Sequence, residues 1–580
     1  MAGENGRNFS LTVVCKRTYT KVTGGSLFAL LARPASKGAR MQGGGGQLVM
    51  DTLARHDVDT IFTLSGGHIF PLYDGAVKRD VRIFDVRHEQ TAAFAAEGWA
   101  KLTRKLGVAA LTAGPGVTNS VSAVTTASFN GSPVMVLGGR AAASRWGMGS
   151  LQEFDHIPVM RSITKTAITA PSTEEIPGVI EAASIAASVA HRGPVFVDLP
   201  MDVLFGFADV ADLSAPVIPV AMPNPEDTAR VGQLLAEAKA PLLVIGSDVY
   251  WEGAWEALAH LAETAAVPVI PNGLGRGLLP ADHDLAFSRA RSTAFKNADL
   301  VIVAGTPLDF RLGFGKFGDA KVVHLVDHSD NVANHVEVEA TAAGDLGTIF
   351  DEILSAFEKK LQRPPDRTAW LDRLRQSEQE ARAADELVLQ SDADPIHPAR
   401  IYGELRKRLD RDAVVIGDGG DFVSYAGKYV DSYLPGHWMD PGPFGCLGTG
   451  LGYALAARVV HPDKQIFLML GDGALGFSAM DFDTLVRFNL PVVGICGNNG
   501  IWGLEKHPMQ KLYGYDVAAD LQPGCRYDQV VAGLGGHGEF VTSPDEIGPA
   551  IDRALESGLP ALVNVVTDPK DQYPRSSVLA

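Results

Sequence analysis

The run GDGALGFSAMDFDTLVRFNLPVVGICGNNGIWG, residues 471–503, decides how this 580-residue chain is read. Before it, Ile466–Leu470 is a short apolar strand pattern, and Gly471-Asp472-Gly473 opens a helical one. A second strand pattern, Val492–Cys496, runs into Asn498-Asn499, with 24 residues between Gly473 and Asn498. One strand–helix–strand unit of this length puts both motifs at the carboxyl edge of adjacent parallel strands, where open α/β sheets bind ligands. Asp472 supplies an anionic oxygen, Asn499 a neutral one, and the backbone carbonyl of Ile501 a third. Magnesium takes such hard oxygen donors and completes its octahedron with water and phosphate oxygens. The glycines let backbone N–H groups approach a diphosphate at the helix N-terminus. Gly471, Gly473 and Gly476 also spell GxGxxG, a dinucleotide fingerprint. Asp472 argues against that reading, because a bare carboxylate repels a pyrophosphate unless a cation bridges them.

Similar strand patterns recur along the chain: Ile61–Leu64, Ile83–Val86, Val108–Thr112, Val134–Leu137 and Val195–Leu199; then Leu242–Ile245, Val267–Ile270, Leu300–Ala304 and Val322–Val326; then Ala413–Ile416 and Ala561–Val566. Alanine-rich helical stretches such as Thr91–Leu102 lie between them. This alternation predicts an α/β fold of three domains with parallel sheets. The boundaries expected are 45–215, 216–365 and 396–580, with a charged linker helix over 366–395. Residues 1–44 read as a basic, disordered extension with Gly43–Gly46 as a flexible joint. Residues 1–40 hold seven basic side chains against Glu4 alone. An organelle transit peptide is one reading; a dispensable extension with Met41 as an alternative start is the other, and with it a cytoplasmic protein.

The formal net charge of −17 disfavours nucleic acid as a partner. The longest apolar runs fall far short of the ~20 residues of a membrane helix. The four cysteines form no CxxC pair, which excludes a disulfide framework and a structural zinc site.

In the first domain, Glu89 follows the strand Ile83–Val86 and precedes an alanine-rich helix. On its own it reads as a helix N-terminal acid stabilised by the macrodipole. GDG with a spaced NN resembles the signature of the thiamine diphosphate (ThDP) enzymes, and the likeness covers residues ~45–575. It implies pyrimidine-binding, middle and diphosphate-binding domains in that order. It implies that Asp472, Asn499 and Ile501 hold Mg2+, and that Glu89 bonds the cofactor's aminopyrimidine so that the thiazolium carbon becomes the nucleophile. It implies a cofactor cradle of Gly66, Gly116, Asn119, Gly420, Asp421, Phe422, Thr449, Leu451, Gly471, Gly473, Ala474 and Trp502, with Leu451 as the apolar wedge. It also implies a homodimer or homotetramer with active sites at the subunit interface, Glu89 serving the cofactor of a neighbouring chain.

Within this family, LSGGH at 64–68, RWGMGSLQEFDH at 145–156 and GFSAMDFDTLVRFNLP at 476–491 are similar to acetolactate synthase large subunits. The GIWGLEKHP after Asn499 departs from the synthase pattern, and an FAD-binding middle domain is not clearly written. The stretches 290–314 and 476–491 resemble oxalyl-CoA decarboxylases and 2-hydroxyacyl-CoA lyases, which hold ADP or CoA in the middle domain. That likeness makes Arg289, Arg291, Arg311 and Asp327 candidates for a nucleotide or CoA. It implies reversible cleavage of a 2-hydroxyacyl-CoA to formyl-CoA and an aldehyde. The alternative is a carboligase or decarboxylase acting on pyruvate or another 2-keto acid; a non-catalytic nucleotide-binding scaffold is a third reading. His68 and Gln152 are the candidate catalytic side chains near the substrate, and Trp502 and His507 are candidate pocket walls. The tail 568–580 is read as a lid.

Overall fold

A computed structural model describes residues 40–360 and 365–573. The basic segment before residue 40 lies outside the described residues, as do residues 574–580 of the tail. The first part of the chain carries β1 (Arg40–Gly44), β2 (Thr60–Leu64), β3 (Arg82–Asp85), β4 (Gly107–Leu111), β5 (Val134–Arg140), β6 (Thr166–Thr169), β7 (Val195–Pro200) and β8 (Phe207–Ala211). Six of these form a parallel sheet in the order β3-β2-β4-β5-β7-β6. The middle part carries β9 (Pro241–Ile245), β10 (Val269–Pro271), β11 (Leu300–Ala304), β12 (Lys321–Val326) and β13 (Ala340–Ala343), parallel in the order β10-β9-β11-β12-β13. The last part carries β14 (Val414–Asp418), β15 (Trp438–Met439), β16 (Ile466–Gly471), β17 (Val493–Asn498), β18 (His537–Val541) and β19 (Ala561–Val566). Their order is β15-β14-β16-β17-β19-β18, again parallel. The first and third sheets thus follow one strand order, although no sequence repeat is visible between them.

The expected joint at Gly43–Gly46 is not one. Gly43 and Gly44 end β1, which pairs antiparallel with β8, and Gly45 and Gly46 begin the helix Gly45–Ala54. The glycines serve close packing: a Cβ on Gly46 would fall 1.9 Å from the carbonyl oxygen of Pro71. Residues 40–44 therefore belong to the folded body.

The first and third sheets meet through two helices, Glu89–Thr103 and Gly450–Val460. Small residues face each other at the crossing. A Cβ on Gly452 would lie 2.6 Å from that of Phe94, and one on Gly98 would lie 3.0 Å from the Cα of Tyr453. The Phe94 and Tyr453 rings meet edge to face at 6.1 Å, and both are fully buried. Burial of each such ring contributes about 1.5–3 kcal/mol. Beneath them, the Tyr453 hydroxyl donates to Glu97 at 2.7 Å and accepts from Lys101 at 2.9 Å. Asn130 and Ser132 also donate to Glu97, at 2.8 and 3.1 Å.

The helix Thr368–Leu389 joins two cores: Trp370, Leu371 and Leu374 pack into the middle one, and Leu389 into the last. Among the described residues no helix is long and apolar enough to cross a membrane.

Candidate active site

Three loops at the carboxyl ends of β14, β16 and β17 converge. Gly419 and Gly420, both at positive φ (78° and 49°), start the helix Gly420–Tyr429. A Cβ on Gly419 would fall 2.4 Å from that of Ala474 in the GDG helix, so this loop lies over the helix start. The Phe422 ring fills the space a side chain on Gly497 would need. The Trp502 ring covers Gly473, where a Cβ would come within 2.4 Å of it. Of the three GxGxxG glycines only Gly473 is sterically required, since Gly476 faces open space and Gly471 has ordinary room.

Asp472 is 3% exposed. Its carboxylate accepts from the backbone N–H of Gly500 at 2.7 Å and of Gly473 at 2.9 Å. Burial pushes its pKa up to about 6 against those two bonds. Asn499 Oδ1 accepts from the Ile501 N–H at 3.2 Å. The C=O of Gly500 and the N–H of Trp502 are used by the segment 519–521, in an antiparallel bridge between Ile501 and Asp520. In that pairing the C=O of Ile501 faces away from 519–521, on the side of Asn499. A buried carboxylate, a side-chain amide oxygen and a backbone carbonyl thus share one loop pair, and they fit a hard divalent cation.

These loops form one wall of a cavity of about 1080 Å³. Gly420, Asp421, Phe422, Gly471, Asp472, Gly473, Ala474, Asn499, Ile501 and Trp502 line it, and Tyr573 from the tail reaches it. Thr449, Leu451 and His507 do not. Leu451 is 1% exposed in the core between the two crossing helices.

The opposite wall comes from the middle domain and includes Arg289, Arg291 and Arg311. Arg289 pairs with Asp385 of the linker helix, and Arg311 with Asp309 at 2.7 Å. Arg291 donates to the carbonyl of Arg311 at 3.0 Å and lies over the Phe295 ring. Burial first, then Arg276 and Arg311, bring it down to about 10. Sequence reasoning missed Arg276, which sits over the Trp438 ring at 4.3 Å and donates to the carbonyls of Gly427 and Val430. The glycine turn Gly273–Gly277 after β10 was the available signal. Asp327 does not join this wall: it is 1% exposed and takes hydrogen bonds from His191 at 2.9 Å and Asn331 at 3.1 Å. In this structure its carboxylate is held by His191 and Asn331.

The second group of predicted residues lies at the ends of β2, β3 and β4. Glu89 is 8% exposed, at the start of its helix, and accepts from the Asn119 side chain at 3.0 Å. His68 Nδ1 lies 3.3 Å from Thr112 Oγ1, and burial holds its pKa below the usual range. Gly66 and Gly116 both pack on Thr112, and Gln152 on Gly114. The N–H of Gly114 donates to His156 Nε2 at 3.0 Å, and His156 Nδ1 lies 3.0 Å from the fully buried Asp198. This support of the turn was also missed; a histidine in an otherwise apolar fold interior carries little local signal. Glu89, His68, Gln152, Gly66, Gly116 and Asn119 form no part of the 1080 Å³ cavity.

Three family models match the chain in order. The N-terminal thiamine pyrophosphate-binding domain of thiamine pyrophosphate enzymes matches residues 44–159, the central domain 228–353 and the C-terminal binding domain 418–565. The chain belongs to the thiamine diphosphate enzyme family. A probable acetolactate synthase of Mycobacterium bovis is 50% identical over 540 residues, 92% of this chain and 98% of that protein. A 2-hydroxyacyl-CoA lyase 2 of Caenorhabditis elegans is 34% identical, covering 91% of this chain and 90% of its own. The Homo sapiens 2-hydroxyacyl-CoA lyase 2 is 31% identical, covering 90% of each. The three α/β units of this ThDP enzyme match the architecture expected from its motifs.

Proposed function

We propose that this ThDP enzyme is a magnesium-dependent carbon–carbon lyase and carboligase whose active site is completed by a second copy of the chain. The observation that carries this is Asp472: a buried carboxylate that accepts from the backbone N–H groups of Gly500 and Gly473, on one loop pair with Asn499 and the Ile501 carbonyl. A cation there would offset the charge and bring the diphosphate to the N–H groups of the GDG turn. Bound thiamine diphosphate supplies a carbon nucleophile and an electron sink next to a carbonyl. Glu89, oriented by Asn119, would hold or move a proton on the pyrimidine. His68, neutral near pH 7, would exchange protons with the substrate. Trp502 over Gly473 excludes water from the diphosphate side. Glu89 does not line the cavity of its own chain, which supports a homodimer or homotetramer in which Glu89 serves the partner's cofactor. A cytoplasmic setting goes with this reading.

Two donor classes are open to such a site. The 50% identity to a probable acetolactate synthase favours a 2-keto acid such as pyruvate. The middle-domain wall supports the 2-hydroxyacyl-CoA reading, because Arg276 and Arg291, held by carbonyls and aromatic rings, line the cavity, with Asp440 and Asp431 acting on Arg276. A phosphate-bearing arm such as that of CoA or ADP suits it. Parallel assays with ThDP and magnesium decide: pyruvate consumption with acyloin formation supports the first, and formyl-CoA release from a 2-hydroxyacyl-CoA the second. Failure of both, with ThDP bound, would overturn the catalytic reading. A flavin absorbance band in the purified protein would favour the synthase reading.

A further inference from the structure

The segment that carries Glu89 is fastened on both sides to the segment that follows the GDG helix. Asp481, 3% exposed, accepts from the backbone N–H of Arg87 at 2.8 Å and from the hydroxyl of Thr91 at 2.6 Å. Thr484 steadies the same carboxylate at 2.9 Å. Gln90 donates to the carbonyl of Phe477 at 3.2 Å. The residues two before and two after Glu89 therefore converge on one carboxylate, while Glu89 itself turns to Asn119 in its own domain. Asp481 stands nine positions beyond Asp472, at the end of the short turn Ala479–Asp481 that continues the GDG helix. A second tie at the same seam, Arg487 to Asp85 at 3.0 Å, is more exposed and touches the end of β3 instead of the Glu89 turn.

We infer that Asp481 is a positioning residue for Glu89, fixing the turn 87–91 so that the glutamate meets the cofactor's pyrimidine at a set height and angle. The inference rests on the assignment of Glu89 given above. A carboxylate suits this task because it accepts two hydrogen bonds at once, one from the backbone and one from a side chain, and so fixes the turn's position and the helix's rotation together. A displacement of about 1 Å at a reacting group is enough to cost on the order of 100-fold in rate. Asp481→Asn keeps the shape but replaces one acceptor by a donor. Thr91→Val removes one of the two bonds without altering the carboxylate.

The test follows proton–deuterium exchange at the thiazolium C2 of bound ThDP in the holoenzyme. It is read beside ThDP affinity by Trp502 quenching and amide exchange of residues 86–91 in the protein without cofactor. Asp481→Asn is expected to slow C2 exchange about tenfold and to speed amide exchange in 86–91. Thr91→Val does the same to a smaller degree, and Asp85→Asn, which loosens the same seam elsewhere, does neither. C2 exchange at the wild-type rate in Asp481→Asn, or the same slowing in Asp85→Asn, overturns the inference. Should Asp481→Asn fail to fold, Thr91→Val carries the same comparison. Glu89→Gln separates the two claims. If it exchanges at the wild-type rate, the role of Glu89 is wrong; if it is slow while Asp481→Asn is not, only the positioning role of Asp481 falls.

Discussion

Asn119 donates its side-chain amide to the carboxylate of Glu89 at 3.0 Å, joining the loop after β4 to the helix that follows β3. The bond holds one carboxylate oxygen of Glu89. Glu89→Ala is expected to abolish turnover while ThDP still binds. Asn119→Ala, which leaves the carboxylate in place but free to turn, should lower kcat about tenfold or more with a small change in the KM for ThDP. Steady-state kinetics at saturating magnesium measure both.

Asp472→Ala should lose magnesium-dependent ThDP binding. Titration calorimetry with and without magnesium reads this directly. Chelation of the wild-type enzyme should release ThDP reversibly, and readdition of magnesium should restore it. ThDP affinity that ignores both treatments would contradict the cation role.

The glycines of the GDG turn should separate in their tolerance. Gly473→Ala must push the Trp502 ring aside, since a Cβ there comes within 2.4 Å of it. Altered tryptophan fluorescence and weaker ThDP binding are the expected result. Gly476→Ala meets nothing within 4 Å and should be neutral or stabilise the helix by about 0.5–1 kcal/mol.

Tyr453→Phe should destabilise the protein by about 1–3 kcal/mol, because it leaves Glu97 and Lys101 buried with one partner fewer. Urea or thermal unfolding measures the cost. Loss of function at moderate temperature is not expected from this change alone.

The seam between the first and middle domains should weaken as pH rises. Burial opposes charge on His191, but Asp327 and Asp248 outweigh it and hold the imidazole up at about 9. A raised histidine pKa contributes stability that is full below about 6.5, the unfolded value, and is lost as pH climbs through about 9. Lys165, held down at about 8 by burial, works in the opposite sense above that pH. Asp248, pushed up to about 8 by burial and Asp327, also costs stability as pH rises toward 8. Tm should therefore fall from pH 6.5 to 8, and His191→Gln should remove the histidine's share of that slope.

Much of the fold was legible because its central strands are continuous apolar runs. Ile466–Leu470 and Leu300–Ala304 stand out by composition alone, and both are strands. The strands that escaped, such as Thr166–Thr169, Trp438–Met439 and His537–Val541, lie at sheet edges, where short or half-polar stretches are enough to pair. The cavity wall formed by the GDG and NN loops was readable because those two motifs lie within one strand–helix–strand unit. Arg276, Asp481 and His156 were not, since their meaning depends on what the chain places opposite them. Asp327 shows the same dependence: its position after a strand suggests a ligand, and only the structure shows that His191 pairs with it.

The shared strand order of the first and third sheets sets which loops correspond. The loops after β2 and β4 occupy the same sheet positions as those after β14 and β16. At one pair of positions lie His68 and the Gly114–Gly116 turn; at the other lie Gly419-Gly420 and the GDG turn. The two sheets thus present their loops at matching positions, and in the function proposed above one pair of loops handles protons while the other holds an anion.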